Sequence, residues 1–165
     1  MLKAVKLRLY LSNDQIIYLD KLFGCSRFVY NKCLDYKINE YKNNKKSVNF
    51  GELGKYLTLL KDEYDWIKDS HSKVLQQTLI DINQAYNKFF KEHAGFPKFK
   101  SKHCSKQSVR FPVDAIMKSG IIGNRISIIK SLRNIHFKCS SSDESYLNKH
   151  QKEIKSVTLS KSKTG

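Results

Sequence analysis

The chain has 165 residues, 40% of them hydrophobic, and a formal net charge of +16 at pH 7. That length can bury one sizeable core or two small ones. The charge is uneven, with 16 Lys/Arg against 11 Asp/Glu in residues 1–92 and 15 against 4 in residues 93–165, an excess that repels itself on folding and is best explained by a polyanionic partner such as RNA or DNA.

Val5-Lys6-Leu7-Arg8-Leu9-Tyr10 alternates apolar and polar residues, which predicts a half-buried strand with Lys6 and Arg8 on the face opposite Val5, Leu7 and Leu9. Ser12 and Gln15 have capping-box spacing, with Leu11 and Ile16 placed as a hydrophobic staple, and open a helix that Gly24 is expected to stop. A second helix is predicted from Ser26 to Tyr41 on the spacing of Val29, Cys33 and Tyr36 with Tyr30, Leu34 and Ile38. Residues 42–47 read as an exposed loop. Phe50, Leu53, Tyr56, Leu57 and Leu60 predict a third helix, after which Tyr64, Trp66 and Ile67 pin a connection onto the core. The fourth helix, from Ser72 to Glu92, keeps Leu75, Leu79, Ile82, Tyr86 and Phe89 on one face. Gly95 and Pro97 close the helical region.

Beyond Gly95 the apolar period changes. Val109, Phe111 and Val113 alternate, as do residues 125–128 and 135–138, and Gly123-Asn124 marks a hairpin turn. Ser140 to Gln151 is polar and reads as a long loop. Ile154–Ser160 is a last alternating strand followed by the turn-like Lys161–Gly165, which would leave it with an exposed edge. One strand, four helices and then several strands predict an α+β fold. A helical bundle is then inserted into a β domain, or two independent domains meet near Gly95.

Gly95-Phe96-Pro97-Lys98-Phe99-Lys100-Ser101-Lys102, continuing to Arg110, interleaves cations and rings in a segment that Pro97 keeps out of helix. Its lysines can neutralise phosphates. Phe96 and Phe99 either stack unpaired bases or plug the core where helix gives way to sheet. A membrane surface fits less well, because the basic half holds no amphipathic helix with a broad apolar face. No signal peptide or apolar span is seen at the N-terminus. The four cysteines form no CxxC pair, although His103-Cys104 could contribute to an assembled zinc site; free thiols in a reducing compartment are expected. Metal-dependent cleavage of DNA needs converging carboxylates, and the basic half offers only Asp114, Asp143, Glu144 and Glu153. The five histidines are far apart in sequence and no Walker loop occurs. The residues thus predict a binding module and no catalytic, metal or cofactor site.

Several motifs in order carry a family resemblance: Lys6–Tyr10, Phe23-Gly24-Cys25-Ser26-Arg27-Phe28-Val29-Tyr30-Asn31, Leu75–Leu79, Asn87-Lys88-Phe89-Phe90, Gly95–Lys100, Gly123–Ile126 and Ile154–Thr158. Over nearly its whole length the chain resembles the N-terminal part of TnpB (OrfB) proteins of bacterial insertion sequences. Full-length members of that family are RNA-guided DNA endonucleases. The resemblance implies a small wedge-like β-barrel interrupted by a helical recognition bundle also described as helix-turn-helix. Its parts here would be residues 1–11, 12–94 and 95–165. It also implies contacts with a structured guide RNA and with a short DNA motif beside the target. A RuvC-type nuclease with a zinc ribbon would follow about where Gly165 stands, so this part would act without a nuclease of its own or with a separate nuclease or transposase. Phe50, Gln76 and Ser108 match positions that face the target-adjacent DNA in relatives. Lys6, Arg8, Lys98, Lys100, Lys102 and Arg110 are the expected backbone-binding cations. Arg27 and Asn31 either contact nucleic acid or belong to a helix-terminal hydrogen-bond network. A cytoplasmic, nucleoid-associated chain is expected. The other readings are a remnant of a decayed transposon gene and a helix-turn-helix regulator of DNA.

Overall fold

The computed structural model describes residues 3–103, 106–117 and 120–162. The chain forms two units. One is built from the residues up to Asp20 with Phe111–Val157, the other from Lys21–Arg110 with the residues from Thr158. Among the described residues, four helices and two small antiparallel sheets make the fold α+β.

Strand β1 (Arg8–Tyr10) leads into α1 (Asn13–Asn44), a single helix of 32 residues. The capping box forms: the Ser12 N–H donates to Gln15 Oε1 at 3.0 Å, and the Gln15 N–H to Ser12 Oγ at 3.4 Å. The expected break at Gly24 does not occur. Gly24 keeps a negative φ, whereas Gly123 does not, and Leu22, Phe23, Cys25 and Ser26 on either side of Gly24 are all buried. A glycine inside a helix costs about 1 kcal/mol, less than the roughly 1.5–3 kcal/mol gained by burying each large apolar side chain. The helix stops where Lys45 takes a left-handed conformation (φ 53°) and the N–H groups of Lys45 and Lys46 bond back to Tyr41 and Glu40.

Helix α2 (Phe50–Glu63) opens with a second capping box. The Glu52 N–H donates to Asn49 Oδ1 at 3.0 Å and the Asn49 N–H to Glu52 Oε2 at 2.9 Å. The hydrogen bond from Lys46, 2.5 Å from Glu52 Oε1, holds that carboxyl below its ordinary range. Helix α3 (Ser72–Glu92) has the predicted bounds. Its end is set by His93 in the left-handed region (φ 53°), one turn before the glycine and proline that close the segment. Cys25, Val29, Tyr30, Cys33 and Leu34 of α1 pack with Leu53, Leu57 and Leu60 of α2, Leu75, Leu79 and Ile82 of α3, and Val48 and Ile67 of the connections.

In the strand unit, β3 (Ile121–Ile122) and β4 (Arg125–Ile126) form the predicted hairpin about Gly123, whose φ of +57° only glycine adopts without strain. Strand β5 (Ile135–Lys138) pairs with β4 and β1, giving the antiparallel order β1-β5-β4-β3. Ile121, Ile126, Ile128, Ile129, Leu132, Ile135 and Phe137 are buried. The stretch expected to be a long loop instead holds α4 (Ser141–His150). It has little apolar periodicity, but Ser140 Oγ caps the Asp143 N–H at 3.2 Å. Asp143 and Glu144 sit in its first turn and Lys149 and His150 in its last, each favourable to the helix dipole.

Strand β2 (Lys106–Pro112) pairs with β6 (Ser156–Ser162) in a two-stranded sheet, so the final strand has a mate on one side and, among the described residues, the expected unpaired edge on the other. Among the described residues these sheets do not close into a barrel. Cys104 and the end of the C-terminal turn, residues 163–165, lie outside the described residues.

Candidate nucleic-acid interface

In the helical unit, the cationic tract is held onto α1 from a distance of 69 residues in sequence. The Asn31 amide grips the Lys100 backbone at both ends: Asn31 Nδ2 donates to Lys100 O at 2.9 Å, and the Lys100 N–H donates to Asn31 Oδ1 at 2.8 Å. The Lys100 ammonium lies 4.2 Å from the Tyr30 ring centroid, a cation–π arrangement. Burial, with Asp81 nearby, pushes the Tyr30 hydroxyl above its ordinary range, so it stays neutral beside that lysine. One turn earlier on α1, Arg27 Nη1 donates to Gln107 Oε1 at 3.3 Å, and Gln107 Nε2 donates to Lys102 O at 3.2 Å. Asn31 and Arg27 make these bonds from the middle of α1, not from a helix terminus. Pro97 is buried while Lys98, Lys100 and Lys102 are exposed, an arrangement that presents ammonium groups from a fixed backbone.

Phe96 packs edge-on against Tyr86 and Phe89, at centroid distances of 5.6 and 5.3 Å, yet remains 44% exposed. It is therefore both packing anchor and accessible ring. Phe99 is 55% exposed and Phe90, beside Tyr86 and Phe89, is 69% exposed. Phe90 was not among the expected binding residues, and it is more exposed than its neighbour Phe89. Arg110 Nη1 lies 3.9 Å from Asp81 Oδ1, and Asp81 also accepts from Gln77 Nε2 at 3.1 Å. That contact ties Arg110 to α3. Gln76 on α3, Ser108 on β2 and Phe50 at the start of α2 are exposed. Among the described residues, no cluster of His, Cys, Asp or Glu is arranged to hold a metal ion, and no helix is long and apolar enough to cross a membrane.

Lys6 and Arg8 belong to the strand unit and are exposed there. Arg8 lies directly across the β1–β5 ladder from Lys138, and Tyr10 across from His136.

A family model described as a helix-turn-helix domain (HTH_OrfB_IS605) matches residues 1–46, the stretch holding β1 and α1. InsQ of Escherichia coli (strain K12), provisionally named an RNA-guided DNA endonuclease, is 34% identical over 113 residues. Virulence protein VsdF of Salmonella dublin is 33% identical over 114 residues, which are 96% of its own length and 62% of this chain. The chain belongs to the TnpB/OrfB family. A protein of Streptomyces pristinaespiralis, also provisionally named an RNA-guided DNA endonuclease, is 30% identical over 111 residues. The matched stretch covers 28% of the length of each endonuclease-named relative and about two thirds of this TnpB/OrfB-family chain.

Proposed function

We propose that this chain is a nucleic-acid-binding module of a TnpB-like transposon protein, which binds a structured guide RNA and target-adjacent DNA and has no nuclease activity of its own. The observation that carries the proposal is the clamped tract. Asn31, Arg27 and Gln107 fix the backbone from Lys100 to Lys102, so the lysines need little further ordering to meet a phosphate row. The charge of +16 supplies the long-range attraction. In this proposal Lys98, Lys100, Lys102 and Arg110 hold backbone phosphates, Lys6 and Arg8 do the same in the strand unit, and Phe50, Gln76 and Ser108 face target-adjacent DNA. Arg27 and Asn31 act as positioning residues. The wedge-like barrel belongs to the same proposal, with β1, β5, β4 and β3 as part of its wall. So do a nucleoid location and cooperation with a separate nuclease.

A helix-turn-helix regulator is less well supported, because α1 passes Gly24 without a turn. The test is a filter-binding salt titration with the RNA transcribed from the matching transposon end. Affinity is expected to fall linearly on a log–log plot as salt rises. An affinity indifferent to salt removes the electrostatic basis of the proposal.

A further inference from the structure

The register of the four-stranded sheet sorts its residues cleanly by face. Leu9 opposite Phe137, Ile126 opposite Ile135 and Ile121 opposite Ile126 turn inward. The outward face carries Arg8 opposite Lys138, and a row running Tyr10, His136, Arg125, Ile122 across all four strands. Arg8, Tyr10, Lys138, Arg125 and Ile122 are exposed, and no carboxylate occurs in either row. Tyr10 is 44% exposed. Its ring centroid lies 5.4 Å from that of His136, with Arg8 Cζ at 5.8 Å and Lys138 Nζ at 5.7 Å. Asn124 Nδ2, 3.1 Å from His136 Nε2, braces the imidazole.

A merely solvated sheet face usually mixes signs, and like charges set directly opposite on neighbouring strands are unfavourable. Here the Arg8–Lys138 pair accepts that cost beside an accessible ring. A phosphate between the two cations would relieve it, and a base on the ring would cover the apolar surface left open. We propose that this face binds unpaired nucleotides, with Tyr10 stacking a base and Arg8 and Lys138 holding the phosphates beside it. The proposal rests on the reading of the chain as a nucleic-acid binder and adds to it a site in the strand unit. Unpaired strands are the favoured occupant because a duplex hides the base faces that a ring such as Tyr10 can reach.

The test is fluorescence anisotropy of the full chain with labelled single-stranded RNA, single-stranded DNA of the same sequence, and the corresponding DNA duplex. Tyr10→Ala is expected to weaken binding of at least one single strand about ten-fold, the strand more affected identifying the natural ligand, while Tyr10→Phe retains it and duplex binding is unchanged. Lys138→Ala is expected to lower the salt slope for that strand by about one. The proposal is overturned if Tyr10→Ala and Lys138→Ala both bind single strands as the parent does. If Lys98→Ala/Lys102→Ala still weakens binding in that case, the broader reading survives without the sheet face. If the parent binds none of the three probes, both fall.

Discussion

Single residues divide the site into those that hold and those that reach. Asn31 spends one donor and one acceptor site of its amide on the Lys100 backbone, which fixes the side chain against the tract. Asn31→Ala should therefore lower nucleic-acid affinity several-fold while leaving the salt slope unchanged, because no phosphate contact is removed. Lys98→Ala should lower the slope by about one. Anisotropy titrations at several salt concentrations separate the two effects, and an altered slope in Asn31→Ala would contradict the positioning role. Cys33 offers a check of the core at the same scale. Burial, opposed weakly by Lys37, pushes its thiol from the ordinary 9.0 up to about 12. The folded state thus favours the neutral thiol, a contribution present in full below pH about 9 and lost as the pH rises toward 12. Thermal melts should show the stability difference between the parent and Cys33→Ala shrinking across that window. A constant difference would mean that Cys33 is not buried as described.

At the scale of elements, what was legible in the sequence depended on whether local and tertiary signals agreed. Helix α3 was readable because its apolar stripe over Leu75, Leu79 and Ile82 is also its buried face. The β3–β4 hairpin was readable because its turn needs a glycine with positive φ. Helix α4 was missed because end-charges and a serine cap, with no apolar stripe, favour it. The continuity of α1 was missed because glycine reads locally as a stop, and only the burial of Leu22, Phe23 and Cys25 reveals why the helix runs on. Two substitutions check this account. An added Cβ at Gly24 would meet only the flexible end of Arg27, at 4.0 Å, so Gly24→Ala should stabilise by about 0.4–1 kcal/mol and raise Tm by a few degrees. Gly123→Ala should lower Tm, because φ is +57° there. A fall in Tm for Gly24→Ala would show that α1 bends at that point. The Asn31–Lys100 clamp could not have been read from sequence, since its partners come together only when the helical unit folds.

The whole molecule is a cationic α+β chain in which the lysine tract of one unit and the exposed sheet face of the other present positive charge from fixed backbones. Composition alone pointed to a polyanion. The structure adds which cations stand on rigid supports, and the chain belongs to the TnpB/OrfB family. The most direct test of the central claim is the salt dependence of duplex-DNA binding by the parent and by Lys98→Ala/Lys102→Ala. The log–log slope is expected to be shallower by about two in the double variant, one released counterion for each lost phosphate contact. An identical slope in both proteins would contradict it.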